Sequence, residues 1–326
     1  MEKAKNFKKE YQAFLQQYPY RTIEVDGTKI RYQYGGKEGA PVLLFFHGLE
    51  MQETWMPYAL HFGQNYRFLI YEYPLHITNV DEQMAFTFAL LKALAIRQVI
   101  LIGCSDGGVH AQIFAKNYPE VVTKMILITT LTLDSDYLRH IKKAWFVTPL
   151  LLLFLKLIPA KTEMNLLLKK CPGFLTCESP EGQAYGRTFY ETVTSDLCYK
   201  QRYIHSVKCV SLLKDYPVFD PTDFAYLRGK IQVLIPENDI FTKEDQARLS
   251  ALFEKLDAEI LRAPGGHMGF VVQAEDYMEK IEKFLAHANR IFDIMIGMTG
   301  IRFELVNEEG WMTWKYMKLK KEQHRF

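Results

Sequence analysis

A glycine-rich turn between an apolar strand pattern and a helix pattern constrains this chain more than any other stretch. Residues 102–108 read Ile-Gly-Cys-Ser-Asp-Gly-Gly and contain G-x-S-x-G. Between a strand and a helix, that spacing predicts a nucleophile elbow, a strained turn that lifts the hydroxyl of Ser105 off the edge of a sheet. Gly103 and Gly107 fit this prediction because side chains there would collide with so tight a turn. The N-terminal end of the following helix would favour negative charge that develops beside the serine.

Length and composition indicate a globular protein with a full-sized core. The chain has 326 residues, of which 48% are hydrophobic and 24% are charged, as in ordinary globular proteins. A formal net charge of +2 gives no electrostatic case for binding nucleic acid. The five cysteines are an odd number without C-x-x-C spacing, which predicts reduced thiols in a cytoplasmic protein and no zinc site.

Neither a signal peptide nor a membrane span is expected. The N-terminal stretch contains lysines but lacks the continuous apolar core of a signal peptide. Five of its residues share one helical face and predict a short docking helix: Phe7, Tyr11, Phe14, Leu15 and Tyr18. The longest apolar run, residues 144–155, is shorter than the roughly 20 residues that a bilayer-spanning helix needs.

Strand and helix patterns alternate on both sides of a helical middle segment. The predicted strands are a hairpin over 22–35 and the apolar runs 42–46, 67–71, 98–101, 125–130, 230–235 and 259–261. The alternation predicts an α/β fold with a doubly wound, mostly parallel sheet. Residues 133–222 have no buried-strand pattern, which predicts a helical lid inserted after the sixth strand. The core would then comprise 1–132 together with 223–288.

Residues 289–326 form a predicted C-terminal extension with two interpretations. Two strand-like runs, 301–305 and 311–316, flank a polar turn, a pattern that is typical of a hairpin. The hairpin could pack on the domain as a structural element. Alternatively, its aromatic residues and the lysines within 318–321 could form a peripheral surface for a membrane or a protein partner.

A serine becomes an effective nucleophile only with a base, and the base needs a carboxylate to orient it. His267 is the preferred base because it lies in a glycine-rich loop between a predicted strand and the last predicted helix. The other histidines are interpreted as surface, packing or turn residues. Asp239, which follows the strand over 230–235, is the preferred acid. Asp134 is the rival, whereas Glu237 is expected to face elsewhere.

An oxyanion hole needs two backbone N–H groups directed at the tetrahedral oxygen, each typically worth about 10²- to 10³-fold in rate. Asp106, the residue after the serine, is expected to supply one. Leu49 is expected to supply the other, from a turn in which Gly48 allows close backbone approach. His47 is then expected to hold the turn rather than to take part in the chemistry.

The order Ser…Asp…His with a His-Gly turn upstream resembles the α/β-hydrolase fold superfamily over about residues 22–287. The resemblance rests on four motifs together: His47-Gly48, Gly103 to Gly108, Asn238-Asp239 and Gly266-His267. A weaker resemblance to the maspardin-like branch rests on residues 66–74 and 148–150. That branch includes binding proteins with an incomplete triad, whereas this sequence keeps the serine, the aspartate and the histidine.

The motifs and the resemblance predict a serine hydrolase of an ester-like bond, similar to carboxylesterases and lipases, which works through an acyl-enzyme. That chemistry needs no metal and no organic cofactor. Apolar lid residues over 145–154 suggest a small-molecule substrate with an apolar group, although a lid helix packed on the sheet explains them equally well. Thioesterases, amidases and C–C hydrolases use the same parts. Epoxide hydrolases and haloalkane dehalogenases are disfavoured because they need a carboxylate in place of Ser105. The rival class is a non-enzymatic binding or adaptor protein.

Overall fold

The computed structural model describes residues 6–170, 172–177, 179–299, 301–306 and 313–318. The chain forms two compact units, Met1–Met278 and Glu279–Phe326. The first contains an eight-stranded sheet and the second a two-stranded sheet.

Eight strands build the sheet of the first unit. They are β1 (Arg21–Val25), β2 (Thr28–Gly36), β3 (Val42–Phe46), β4 (Arg67–Tyr71), β5 (Val99–Cys104), β6 (Val122–Ile128), β7 (Ile231–Asn238) and β8 (Glu259–Gly266). They lie in the order β1-β2-β4-β3-β5-β6-β7-β8. β2 pairs antiparallel with β1 and β4, and all pairs from β4 to β8 are parallel. The predicted α/β fold with a mostly parallel sheet is therefore confirmed.

Twelve α-helices occur within the described residues. They are α1 (Phe7–Gln17), α2 (Met56–Phe62), α3 (Val80–Ala93), α4 (Asp106–Asn117), α5 (Ser135–Trp145), α6 (Thr148–Leu157), α7 (Ala160–Lys170), α8 (Pro180–Ser195), α9 (Tyr199–Leu212), α10 (Lys243–Glu254), α11 (Gly269–Val272) and α12 (Ala274–Thr299). Short 3-10 turns occur at Gly48–Glu50, Gln52–Trp55, Pro172–Leu175, Leu213–Asp215 and Pro221–Leu227. α5 to α9 follow one another between β6 and β7, in the range for which the sequence predicts a helical lid.

Local sequence explains the first strands. Asp26 and Gly27 have φ values of 48° and 75°, as a type I′ turn requires, and they join β1 to β2. Every residue of β3 is buried. A strand covered on both faces needs such a continuous apolar run, which is the pattern from which β3 is predicted.

The carboxyl ends of four neighbouring parallel strands place the candidate site. β5 ends just before Ser105, and β6 ends just before Thr129. β7 leads into Asp239, and β8 ends just before His267. Residues that are distant in the chain meet here because parallel strands end at the same edge of the sheet. β8 is five residues longer than predicted: after an irregularity, Gly266 still pairs with β7.

Helix α1 packs on α8 through aromatic rings. The rings of Phe7 and Phe189 lie edge to face with centroids 4.9 Å apart. Phe7 and Phe14 are buried. Both residues belong to the helical face that the sequence predicts to dock.

The second unit contains the later part of α12 and a hairpin. Its strands are β9 (Ile301–Val306) and β10 (Thr313–Lys318), which pair antiparallel. The bounds of β9 and β10 lie within two residues of the strand-like runs predicted over 301–305 and 311–316. The polar turn and the lysines at 320 and 321, which belong to the proposed partner surface, lie outside the described residues.

Candidate active site

Ser105 lies in the sharp turn between β5 and α4. Its φ and ψ angles are 52° and −129°, a combination that costs about 1–3 kcal/mol and is concentrated at functional sites. A Cβ on Gly48 would lie 2.7 Å from the Cβ of Ser105, and one on Gly107 would lie 2.5 Å from the carbonyl oxygen of Phe46. A Cβ on Gly103 would lie 2.7 Å from the carbonyl oxygen of Gly107. The turn is therefore possible only because these positions lack side chains.

A line of hydrogen bonds joins Ser105, His267 and Asp239. The Oγ atom of Ser105 lies 3.1 Å from Nε2 of His267, and Nδ1 of His267 lies 2.7 Å from Oδ1 of Asp239. When Nδ1 donates its proton to the carboxylate, Nε2 is left as an acceptor for the serine hydroxyl. The structure thus brings together the three side chains for which the sequence predicts the roles of nucleophile, base and acid.

Thr129 is a further member of this cluster, and the sequence analysis did not single it out. Its hydroxyl donates to Oδ2 of Asp239 over 2.9 Å and lies 2.9 Å from Nδ1 of His267. Its φ is 46°, which is a genuine outlier for a β-branched residue. The strained position directs the hydroxyl at the carboxylate. The only sequence signal is the pair of threonines that directly follows a buried strand.

The imidazole of His267 is enclosed by aromatic rings. The side chain of His267 is 4% exposed and that of Asp239 is 1% exposed. The ring of Phe174 stacks on the imidazole with centroids 5.4 Å apart, and that of Phe241 meets it edge-on at 5.0 Å. Water is thereby kept from the pair, and a buried carboxylate depends on the hydrogen bonds that the protein supplies.

The rival acid, Asp134, serves a different purpose. Its carboxylate accepts from the N–H groups of Asp136 and Tyr137 at the start of α5, and from Nε of Arg248 over 3.0 Å. Glu237 is exposed. Of the acids that the sequence offered, Asp239 is the one that contacts the imidazole.

The two predicted oxyanion donors are neighbours, but the N–H of Leu49 is already engaged. It donates to Oδ1 of Asp106 over 2.8 Å. The N–H of Gly48 is directed at Sγ of Cys104, 3.3 Å away. In the structure, the N–H that the sequence predicts as an oxyanion donor is thus engaged with the carboxylate of Asp106. The physical reason is that the carboxylate at the first position of α4 reaches back across the turn.

Asp106 also ties helix α9 to this turn. Its second oxygen, Oδ2, accepts from the hydroxyl of Ser206 over 2.7 Å. α9 belongs to the helical segment between β6 and β7. One carboxylate thus links that segment to the turn that holds Ser105.

A second buried acid–histidine pair lies next to the same turn. The side chains of Glu50 and His205 are each 3% exposed, and Oε1 of Glu50 is hydrogen-bonded to Nδ1 of His205. Nε2 of His205 lies 2.9 Å from the carbonyl oxygen of Ile77, so this nitrogen carries a proton. Burial raises the pKa of Glu50 to about 7. Burial lowers the pKa of His205, but the hydrogen bond to Glu50, the negative charge of Glu50 and the hydrogen bond to Ile77 together outweigh burial, so the net pKa is raised.

No local sequence signal marks this pair, because its members are 155 positions apart. The sequence pattern predicts a surface or packing role for His205. It is buried, but its ring is held by hydrogen bonds to the protein.

His47 packs against an aromatic ring. It stacks face to face on Tyr73 with centroids 4.2 Å apart. Complete burial lowers the pKa of His47 well below its usual value, so the ring is neutral at physiological pH. Among the described residues, neither ring nitrogen has a hydrogen-bond partner. The role of His47 in holding the turn stays a prediction.

The cavity beside Ser105 is small. It is lined by Gly48, Leu49, Met51, Thr54, Cys104, Ser105, Phe174, His267, Met268 and Phe270. The centre of a water molecule could move through only about 10 Å³ of it, which is room for about one water. A substrate carbonyl could reach Ser105 only if part of this lining moved.

No protein-family model matches the chain. Two similar solved structures are an α/β-hydrolase fold protein from Chitinophaga pinensis and MGS-M2, an α/β-hydrolase enzyme from a Medee basin deep-sea metagenome library. The first has a TM-score of 0.62 at 20% identity and covers 82% of this chain and 97% of its own. The second has a TM-score of 0.63 at 18% identity and covers 82% and 97%. The chain has the α/β-hydrolase fold.

A curated relative is epoxide hydrolase 4 of Homo sapiens. It is 29% identical over 120 residues, which are 33% of this chain and 33% of the relative. The chain therefore matches only about a third of the length of that relative.

The described residues show three further properties. None of their helices is both long enough and apolar enough to cross a bilayer. No three metal-ligating side chains among them lie close enough together to hold a metal ion. Four cysteines, Cys104, Cys177, Cys198 and Cys209, are free thiols.

Proposed function

We propose that the protein is a serine hydrolase that cleaves an ester-like bond through an acyl-enzyme. The observation that carries the proposal is the hydrogen-bonded line from Ser105 through His267 to Asp239. A serine is a weak nucleophile until a base is poised to take its proton and a third group orients that base. The buried imidazole and carboxylate meet that requirement.

In the proposed reaction, Oγ of Ser105 attacks the carbonyl carbon while Nε2 of His267 takes the hydroxyl proton. Asp239 orients the ring and stabilises the imidazolium that forms. His267 then gives the proton to the leaving oxygen as the C–O bond breaks. In the second half, His267 deprotonates a water molecule, which attacks the acyl-enzyme and releases the acid and Ser105.

The oxyanion would be held by the N–H groups of Asp106 and Leu49. In the structure the carboxylate of Asp106 accepts from the N–H of Leu49. A negative charge at this point opposes a second one nearby. We therefore propose that the structure shows a resting state, in which the carboxylate of Asp106 occupies the N–H of Leu49. An arriving substrate carbonyl would displace the carboxylate and accept the hydrogen bond from this N–H.

A hydroxyl in the turn favours acyl transfer over epoxide opening. The curated relative of the chain is an epoxide hydrolase, but it is 29% identical over a third of each protein. Epoxide opening on this fold needs a carboxylate in place of Ser105. Thioesterase, amidase and C–C hydrolase reactions use the same line of residues and remain alternatives to an ester.

We further propose that α5 to α9 form a lid and that the substrate carries an apolar group. Phe174 belongs to that segment, and with Met268 and Phe270 it lines the cavity beside Ser105. Free cysteines support a reducing, cytoplasmic setting. Neither proposal needs a metal or an organic cofactor.

The test is to label the purified protein with a fluorophosphonate probe, which reacts with activated serines. We expect the wild-type protein to be labelled and Ser105→Ala and His267→Ala to be unlabelled. His140→Ala is the matched control, since His140 is an exposed histidine of α5, and it should be labelled like the wild type. Labelling that persists in Ser105→Ala would contradict the proposal.

A second candidate is a non-enzymatic binding or adaptor protein. The cavity that admits about one water molecule favours it. A folded wild-type protein that takes no label would put this candidate first. Deletion of residues 289–326 then tests the tail: loss of membrane or protein association with the fold intact would identify a recruitment element, and unfolding would identify a structural one.

A further inference from the structure

One face of the segment around helix α6 is apolar and exposed. The exposed fractions are 85% for Phe146, 69% for Leu150, 54% for Leu153, 48% for Phe154 and 75% for Leu157. Spacings of three and four residues place these five side chains, the α6 face, on one side of a helix. Single exposed apolar residues are ordinary, but a contiguous patch of this kind marks an interaction site.

The opposite side of α6 is fixed to the protein. Thr148 and Leu155 are buried. The ammonium group of Lys200 in α9 donates to the carbonyl oxygen of Lys156 over 2.8 Å and also to that of Ile158, at the end of α6. The α6 face is therefore the outer side of a helix that packs on the rest of the protein through its opposite side.

Basic residues surround the α6 face. Lys143, Lys156 and Lys161 are exposed on α5, α6 and α7. A cavity of about 520 Å³ adjoins α6, and its lining contains Lys156, Lys200 and Lys208. The rest of that lining is Leu75, Leu197, Gln201, Ile204 and His205, so within the described residues it contains no carboxylate. Because the ammonium group of Lys200 is engaged with the two carbonyl oxygens, Lys156 and Lys208 are the residues of this lining that add free positive charge beside the α6 face.

We propose that the α6 face docks on an anionic phospholipid bilayer, with the exposed lysines beside it facing the lipid headgroups. Apolar side chains between basic ones are the composition of a surface that enters the boundary between headgroups and acyl chains. Docking does not depend on the chemistry at Ser105.

The experiment is flotation of the full chain with vesicles of phosphatidylcholine, alone or mixed with phosphatidylglycerol. We expect binding to the mixed vesicles that weakens with added salt. Leu150→Gln together with Leu157→Gln should lower the partition coefficient by about tenfold or more, because two exposed leucines no longer enter the bilayer. Lys143→Glu and Lys156→Glu should each lower it by more than about fivefold, because losing one positive charge near the surface costs about fivefold and each substitution also adds a negative charge.

Two controls separate docking from other effects. Val218→Gln changes an apolar residue that is 50% exposed outside α6, and it should bind as the wild type does. Ser105→Ala should also bind as the wild type does, which separates docking from the proposed catalysis. Equal binding by the double leucine variant, or no binding by the folded wild type, would overturn the proposal. So would sedimentation that shows a dimer dispersed by the same variant, because a second copy would then cover the α6 face.

Discussion

Replacing Thr129 by valine tests whether the hydroxyl at this strained position supports Asp239. Valine has the same shape and is also β-branched, so the backbone strain at a φ of 46° is unchanged. The substitution removes the hydrogen bond of 2.9 Å to Oδ2 of Asp239. That carboxylate is 1% exposed, so water cannot replace the lost donor. A hydrogen bond to a charged group contributes about 1.5–3 kcal/mol, and we expect the free energy of unfolding to fall by this amount.

The same substitution should slow the reaction of Ser105 with a fluorophosphonate. About half of the free energy of the lost hydrogen bond is expected to act in the transition state, where the carboxylate of Asp239 faces an imidazolium. The labelling rate should then fall by about three- to tenfold. Thr129→Ser keeps the hydroxyl and should restore most of the rate.

Urea unfolding and the labelling rate measure both effects, and Thr132→Val is the matched control. Thr132 is 3% exposed, and its hydroxyl has no hydrogen-bond partner among the described residues. Its replacement should leave both measurements unchanged or raise the stability slightly. If Thr129→Val matches the wild type in both, the hydroxyl does not support Asp239 and the reasoning fails.

Two further predictions concern the turn beside Ser105. Asp106→Ala frees the N–H of Leu49 and removes a negative charge, so fluorophosphonate labelling should become faster; slower labelling would show that the carboxylate positions the turn instead. The second prediction follows from the raised pKa values of Glu50, about 7, and of His205. Groups whose pKa is raised by folding stabilise the protein below their unfolded pKa, and that contribution is lost as the pH rises through the folded values. The free energy of unfolding should therefore fall as the pH rises from about 4.5 to about 7 through Glu50, and again above about 6.5 through His205, by up to about 1.4 kcal/mol per pH unit for each proton. Glu50→Gln should flatten this slope in pH-dependent urea unfolding and His140→Ala should retain it, whereas a wild-type profile without the slope would refute the assignment.

The sheet and the line of three side chains were predictable because each part has a local signal. G-x-S-x-G lies between a strand and a helix, and His267 lies in a glycine-rich loop after a strand. Parallel topology then brings the ends of strands together, which explains why Asp239 could be proposed from its position alone.

Contacts made by side chains between distant segments were not predictable. Thr129 is recognisable only once β6 and β7 are neighbours, and the pairing of Glu50 with His205 depends on how α9 lies over the turn. The pattern of the turn predicts the N–H of Leu49 as an oxyanion donor because the pattern specifies backbone positions. It does not specify the rotamer of Asp106, whose carboxylate takes that N–H.

The shared carboxylate of Asp106 limits how this protein could be recombined with its structural relatives. One oxygen serves the backbone of the turn and the other serves Ser206. A chimera that exchanged residues 133–222 for the corresponding helices of another protein with the α/β-hydrolase fold would keep the sheet and its strand ends. Unless the graft brought a hydroxyl to the position of Ser206, it would leave Oδ2 of Asp106 without that donor, one residue from Ser105. The helical segment and the turn therefore depend on each other, and an exchange of these helices should leave this one contact intact.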